Sequence, residues 1–235
     1  MQKLLSLAIA AAAIAAAPAA AVTYDAFASF NGVNGNGNFN YGYTDGTTLT
    51  SFDFSGTNGA CALGTGSTCL YATALGNLPQ ASIGGSYPTV NVPTDAVLVH
   101  PGNSDAQSNY VGFVATTGGS YNYTIDLQSR GIDTTDGIGY RSFTSVGGVV
   151  TLGARNVIPT YLATATLAGT QSLAVGSVFG VIVDRNGIYY GDSTGVKFVV
   201  DGPSAVPEPA VWGLMIAGFA MVGAAARRRS AVVAA

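Results

Sequence analysis

The chain has 235 residues, of which 48% are apolar and only 9% charged, with 32 glycines and a formal net charge of −3. That apolar content supports a packed core rather than disorder. Between residues 22 and 206, five basic residues stand against eleven aspartates, an acidic balance without a basic stripe that argues against nucleic-acid binding.

Residues 1–21 begin with Lys3, continue through an apolar run from Leu4 to Ala17 and end in Ala19-Ala20-Ala21. This is the pattern of a secretory signal peptide, read by the Sec translocon and cut by signal peptidase. Removing it and the distinct C-terminal segment from Pro207 leaves residues 22–206, enough for one β domain with a substantial core.

Within 22–206 the recurring signal is alternation, not a helical period. Tyr121, Tyr123, Ile125 and Leu127 fall on one side, with Asn122, Thr124 and Asp126 on the other. Val196, Phe198 and Val200 alternate with Lys197 and Val199. Further strands are expected at 24–30, 49–54, 96–99, 110–115, 146–152, 161–167 and 179–184. Turn pairs separate them: Asn34-Gly35, Asn36-Gly37, Asp45-Gly46, Gly118-Gly119, Asp136-Gly137, Gly147-Gly148 and Asn186-Gly187. Nine or ten short strands without crossover helices predict an all-β antiparallel β-sandwich, of jelly-roll type. Residues 55–69 are low in complexity and are expected to be a loop stapled by a Cys61–Cys69 disulfide.

Histidine occurs once, at His100, and glutamate once, at Glu208. Zinc clusters and most acid–base constellations therefore lack residues. His100-Pro101-Gly102 reads as a turn closing a strand. Asp133, Asp136, Asp184 and Asp192 offer hard oxygens. Asp184 and Asp192 are the candidate calcium ligands, although no EF-hand loop is present and no cofactor is otherwise expected. Gly191-Asp192-Ser193-Thr194-Gly195 fits G-x-S-x-G, but the alternating segment after it predicts a strand where a nucleophile elbow needs a helix. No catalytic residue is assigned. Tyrosines with Asn or Asp nearby could stack on sugar rings, and Tyr41, Tyr43, Tyr110, Tyr189 and Tyr190 are the candidates.

The C-terminal segment has three parts. Pro207-Glu208-Pro209 is stiff and extended. Residues 210–226 form an uncharged apolar run that spans about 25 Å as a helix, and is read as a transmembrane helix. Arg227-Arg228-Arg229 then stops it and stays cytoplasmic.

Pro207-Glu208-Pro209, Trp212, Met215-Ile216, Gly218-Phe219, Val222-Gly223 and the closing arginines resemble the PEP-CTERM sorting signal, in its PEP-x-x-W variant. The resemblance implies an exported, membrane-anchored precursor cut near the motif by an exosortase, on a cell that makes exopolysaccharide. Gly213 stands where the variant usually has Ala. A second resemblance rests on Asn34–Tyr43, Val97–Gly102, Gly118-Gly119-Ser120-Tyr121 and Tyr189–Val196. These motifs are similar in order to those of bacterial PEP-CTERM surface proteins, with sandwiches that look like carbohydrate-binding modules. Together the resemblances imply a non-enzymatic cell-surface or extracellular-matrix protein associated with exopolysaccharide, structural or weakly sugar-binding. The alternative is a secreted hydrolase acting on polysaccharide or ester.

Overall fold

A computed structural model describes residues 21–132, 136–203, 213 and 216–222. The expected signal helix and Asp133 lie outside these, as do Pro207, Glu208, Pro209, Trp212 and Arg227–Arg229 of the sorting signal. So does most of the expected transmembrane run. Residues 216–222 are helical. Among the described residues no helix is long and apolar enough to cross a membrane.

Val22–Gly202 forms one compact unit of fifteen strands. They are β1 (Val22–Asp25), β2 (Phe39–Thr44), β3 (Leu49–Ser51), β4 (Phe54–Thr57), β5 (Ser67–Tyr71), β6 (Gln80–Gly84), β7 (Val97–His100), β8 (Ser108–Val114), β9 (Gly119–Ser129), β10 (Ile138–Val146), β11 (Val149–Leu152), β12 (Asn156–Ile158), β13 (Thr164–Leu173), β14 (Val178–Arg185) and β15 (Thr194–Gly202). Among the described residues every strand pairing is antiparallel.

The first sheet runs β13-β9-β15-β7-β6-β5-β4, with β1 also on β15; the second runs β11-β10-β14-β8-β2-β3, with β12 on β10. From β7 to β10 each successive strand changes sheet, and β13, β14 and β15 do so again. The result is two interlocked antiparallel layers. One core lies between them. Ile125, Leu127, Val196, Phe198 and Val200 of the first sheet meet Phe39, Tyr41, Val111, Phe113, Phe179 and Val181 of the second. Phe198 of the first sheet meets Phe39 of the second edge-on across that space, and Phe39 meets Phe113 edge-on within the second sheet.

Period-2 patterning explains the long strands. Along β9, Tyr121, Ile125 and Leu127 are buried while Asn122, Thr124 and Asp126 are exposed, as the alternation requires.

Three expectations are corrected. Residues 24–30 do not continue as a strand. Asp25 Oδ1 accepts from the amides of Phe27 (2.8 Å) and Ala28 (3.1 Å), capping a single helical turn, α1 (Ala26–Ser29). Residues 146–152 are not one strand but a hairpin, because Gly147 (φ 58°) and Gly148 (φ 85°) supply the two left-handed positions of a tight turn. Residues 55–69 are not all loop. β4 and β5 pair with Phe54 opposite Tyr71 and Thr57 opposite Thr68, and the two rings stack at 4.2 Å. The Cys61–Cys69 disulfide is present, tying the hairpin's connection to β5.

Candidate functional site

His100, Tyr189, Tyr190, Asp184 and Asp192, singled out in the sequence, lie at the end of the sandwich where β14 passes through residues 186–193 into β15. His100 ends β7, and its neighbour Val99 pairs with Thr194 of β15. The His100 and Tyr189 rings meet edge-on at 6.3 Å. Tyr189 and Tyr190 lie 4.3 Å apart with rings inclined at 30°. Tyr190 is 64% exposed, the most open tyrosine of the sandwich, while Tyr189 is half-buried. A hydrogen bond with Tyr190 pushes the Tyr189 phenol up, so that ring stays neutral across the physiological range.

Polar contacts brace this end. Arg155 grips Asp184, with Nη2 2.6 Å from Oδ1 and Nε 3.1 Å from Oδ2, and Arg141 reaches Oδ2 at 3.3 Å. Arg155 also donates to Asn186 Oδ1 at 2.8 Å, and Asn186 donates to the Asp136 carbonyl at 2.6 Å. Asp136 Oδ2 accepts from the Ile188 amide at 2.8 Å. Arg185 reaches across to Asp105 Oδ1 at 3.0 Å and the Asn103 carbonyl at 2.8 Å. The tyrosine pair therefore stands on a braced loop.

Behind it the chain is tightly packed. Gly131 has no room for a side chain: a Cβ there would overlap the Gly191 carbonyl. The Arg130 amide donates to the Ser193 carbonyl at 2.7 Å. Tyr87, Ile132 and Ile188, each about half exposed, lie on the segments that meet here.

Three of the five candidate tyrosines are elsewhere. Tyr41 is 1% exposed, faces the central core and donates to the Ala26 carbonyl at 3.0 Å. Tyr43 packs on the same core and stacks with Phe52. Tyr110 lies on the outer face of the second sheet, in a small cluster with Phe143 and Ile182. It borders a groove of about 380 Å³ with Asn40, Thr48, Ser51 and Ser145, but is itself only 2% exposed. None of the three presents a ring face to an external sugar.

The calcium reading of Asp184 is likewise corrected, because both its oxygens are taken by guanidinium groups. Asp192 is fully buried with neither oxygen hydrogen-bonded. Burial, then the charge of Asp136, pushes its carboxyl up to about 8. Among the described residues no group of three or more His, Cys, Asp or Glu side chains could hold a metal. Ser193 is 2% exposed and the chain after it is strand β15, not a helix. His100 hydrogen-bonds the Pro101 carbonyl at 2.7 Å, and burial pushes its pKa down. The bracing residues Arg141, Arg155 and Asn186 are not legible as a set, since they come from strand β10, the loop before β12 and the loop after β14.

The fold and this end together define an antiparallel β-sandwich with an aromatic, loop-built pole. Residues 205–229 match the family model of the PEP-CTERM protein-sorting motif. The chain is thus an exported, exosortase-sorted protein, anchored in the membrane before processing. No curated protein matches the sequence. Among solved structures, a family 35 carbohydrate-binding module from Clostridium thermocellum is 17% identical, with a TM-score of 0.31, covering 48% of this chain and 84% of that one. A cleaved adhesin domain (K3) of Lys-gingipain from Porphyromonas gingivalis is 13% identical, with a TM-score of 0.31, covering 52% and 80%. A GH26-CBM35 mannanase from Podospora anserina is 14% identical, with a TM-score of 0.29, covering 82% of this chain. The chain spans only 29% of that mannanase and 20% of a ruminal GH26 mannanase. At these TM-scores the similarities carry no weight for function.

Proposed function

We propose that the exported domain is a non-enzymatic jelly-roll sandwich of the cell surface or extracellular matrix, and that it associates weakly with the cell's exopolysaccharide through Tyr189 and Tyr190. The observation that carries this is the inclined tyrosine pair on a braced loop, with Tyr190 exposed and Tyr189 half-buried. A neutral aromatic face offers apolar surface to the C–H side of a sugar ring, and its hydroxyl can bond the rim. The neighbouring Asn186 and Gly187 keep the loop polar and short. One such platform without a deep cleft gives low affinity per site, suited to a polymer that offers many sites.

The non-enzymatic reading is supported by the burial of Asp192 and Ser193, which keeps both from a substrate. The jelly-roll reading is supported by the strand orders β7-β15-β9-β13 and β8-β14-β10-β11 within the two sheets.

The test is affinity electrophoresis of the exported chain in gels containing the producing cell's own polysaccharide. Retardation of the native chain and its loss in Tyr190→Ala is the expected result. Equal mobility with and without polysaccharide removes the sugar-binding role and leaves only the structural one.

A further inference from the structure

We infer that β13 is an assembly edge, along which a second copy of this chain pairs antiparallel to make one continuous sheet. β13 ends the first sheet and pairs only with β9 among the described residues. It is ten residues long, whereas the opposite edge, β4, has four and the second sheet's outer strands have three or four. Natural edge strands of this length are usually blunted by charge, proline or a bulge, since their free amides and carbonyls recruit other strands. β13, TATLAGTQSL, has no charge and no proline, and its ten residues pair without interruption against 119–128.

The sequence of β13 fits itself. A two-fold axis at Ala168 sets Ala168 opposite Ala168, Thr166 opposite Thr170 and Thr164 opposite Ser172 on the outer face. On the inner face, Leu167 falls opposite Gly169, over which the Tyr123 ring lies, and Ala165 opposite Gln171. Small and hydroxyl residues at each outer position suit cross-strand pairing. The domain is acidic, but this edge carries no charge, so two copies meet without like-charge contact. The contact is isologous and closes as a dimer rather than growing into a fibre. It is independent of any sugar-binding role.

Directly opposed residues on paired strands have Cα atoms about 4.5–5.5 Å apart, within disulfide range. The experiment is non-reducing electrophoresis of the full chain made in an exporting bacterium. Ala168→Cys shifts to twice the monomer mass, while Ala28→Cys, exposed on α1 away from the edge, stays at monomer mass. Thr166→Cys and Thr170→Cys co-expressed give a mixed dimer; each alone gives none. No dimer from Ala168→Cys, or equal dimer from Ala28→Cys, overturns the assembly edge. Dimer from Ala168→Cys without the mixed pair overturns the stated two-fold register.

Discussion

Asp192 is buried without a hydrogen bond, and after burial the charge of Asp136 is the next largest influence raising its pKa. Its carboxyl sits at about 8, against 3.8 for an unperturbed aspartate. The folded state thus holds a proton that the unfolded chain releases. The resulting stability is fully present below about 3.8 and is lost as pH rises through about 8. Thermal melts are expected to show the native chain losing stability between pH 5 and pH 9, while Asp192→Asn, neutral at every pH, loses much less. Parallel pH profiles for the two proteins would contradict this account.

The Arg155–Asp184 pair joins two segments that are remote in sequence. Asp184 is buried, with its side chain 8% exposed, and Arg155 is the partly exposed partner. Asp184→Ala leaves Arg141 and Arg155 facing one another without their shared anion, and is expected to cost about 2–3 kcal/mol of stability. Arg155→Lys is expected to lose part of this, since an ammonium does not reproduce the fork. Urea unfolding of the variants checks both.

Gly131→Ala tests the packing behind the tyrosine pole. The added methyl must displace the Gly191 carbonyl, so destabilisation of about 1–3 kcal/mol is expected. Gly148 offers the contrast: a Cβ there meets nothing, and its left-handed φ alone sets the penalty for alanine, about 1 kcal/mol.

Two tyrosine variants separate core from surface. Tyr41→Ala opens a cavity and orphans the Ala26 carbonyl, with an expected loss of about 3–5 kcal/mol. Tyr190→Ala removes an exposed ring and is expected to change stability by less than about 0.5 kcal/mol while abolishing polysaccharide retardation. Melting curves and affinity electrophoresis on the same samples compare the two.

Cys61→Ser with Cys69→Ser opens a ring closed over a sequence separation of eight, and is expected to cost about 2–3 kcal/mol by the chain-entropy argument. Cys69 is fully buried within β5, so the double variant also loses packing there. Denaturant midpoints of the native and double-variant chains check the loss.

The sandwich was legible wherever alternation is strong. β9 and β15 announce themselves because Tyr121, Ile125, Leu127 and Val196, Phe198, Val200 face one core. β6 was missed because its buried positions include Gln80 and Ser82, polar residues that a hydrophobic pattern does not flag. In the sequence β4 and β5 resemble loop because Gly, Ser and Thr are frequent there, and tertiary pairing overrides their weak propensity. Among the tyrosines, sequence neighbours could not tell facing. Tyr41 and Tyr110 lie on opposite faces of one sheet, and both are covered by elements distant in the chain. Tyr189 and Tyr190 escaped burial because they sit in a connection rather than a strand.

The first strand of the domain, β1, lies antiparallel on its last, with Val22 opposite Gly202 and Asp25 opposite Val199. Entry to and exit from the sandwich are therefore neighbours, and ladder hydrogen bonds hold both ends together. β15 then runs from that doorway to the tyrosine loop over nine residues, a distance of about 30 Å. The tyrosine loop proposed to meet a polymer and the point where the chain leaves the sandwich thus lie at opposite ends of one strand.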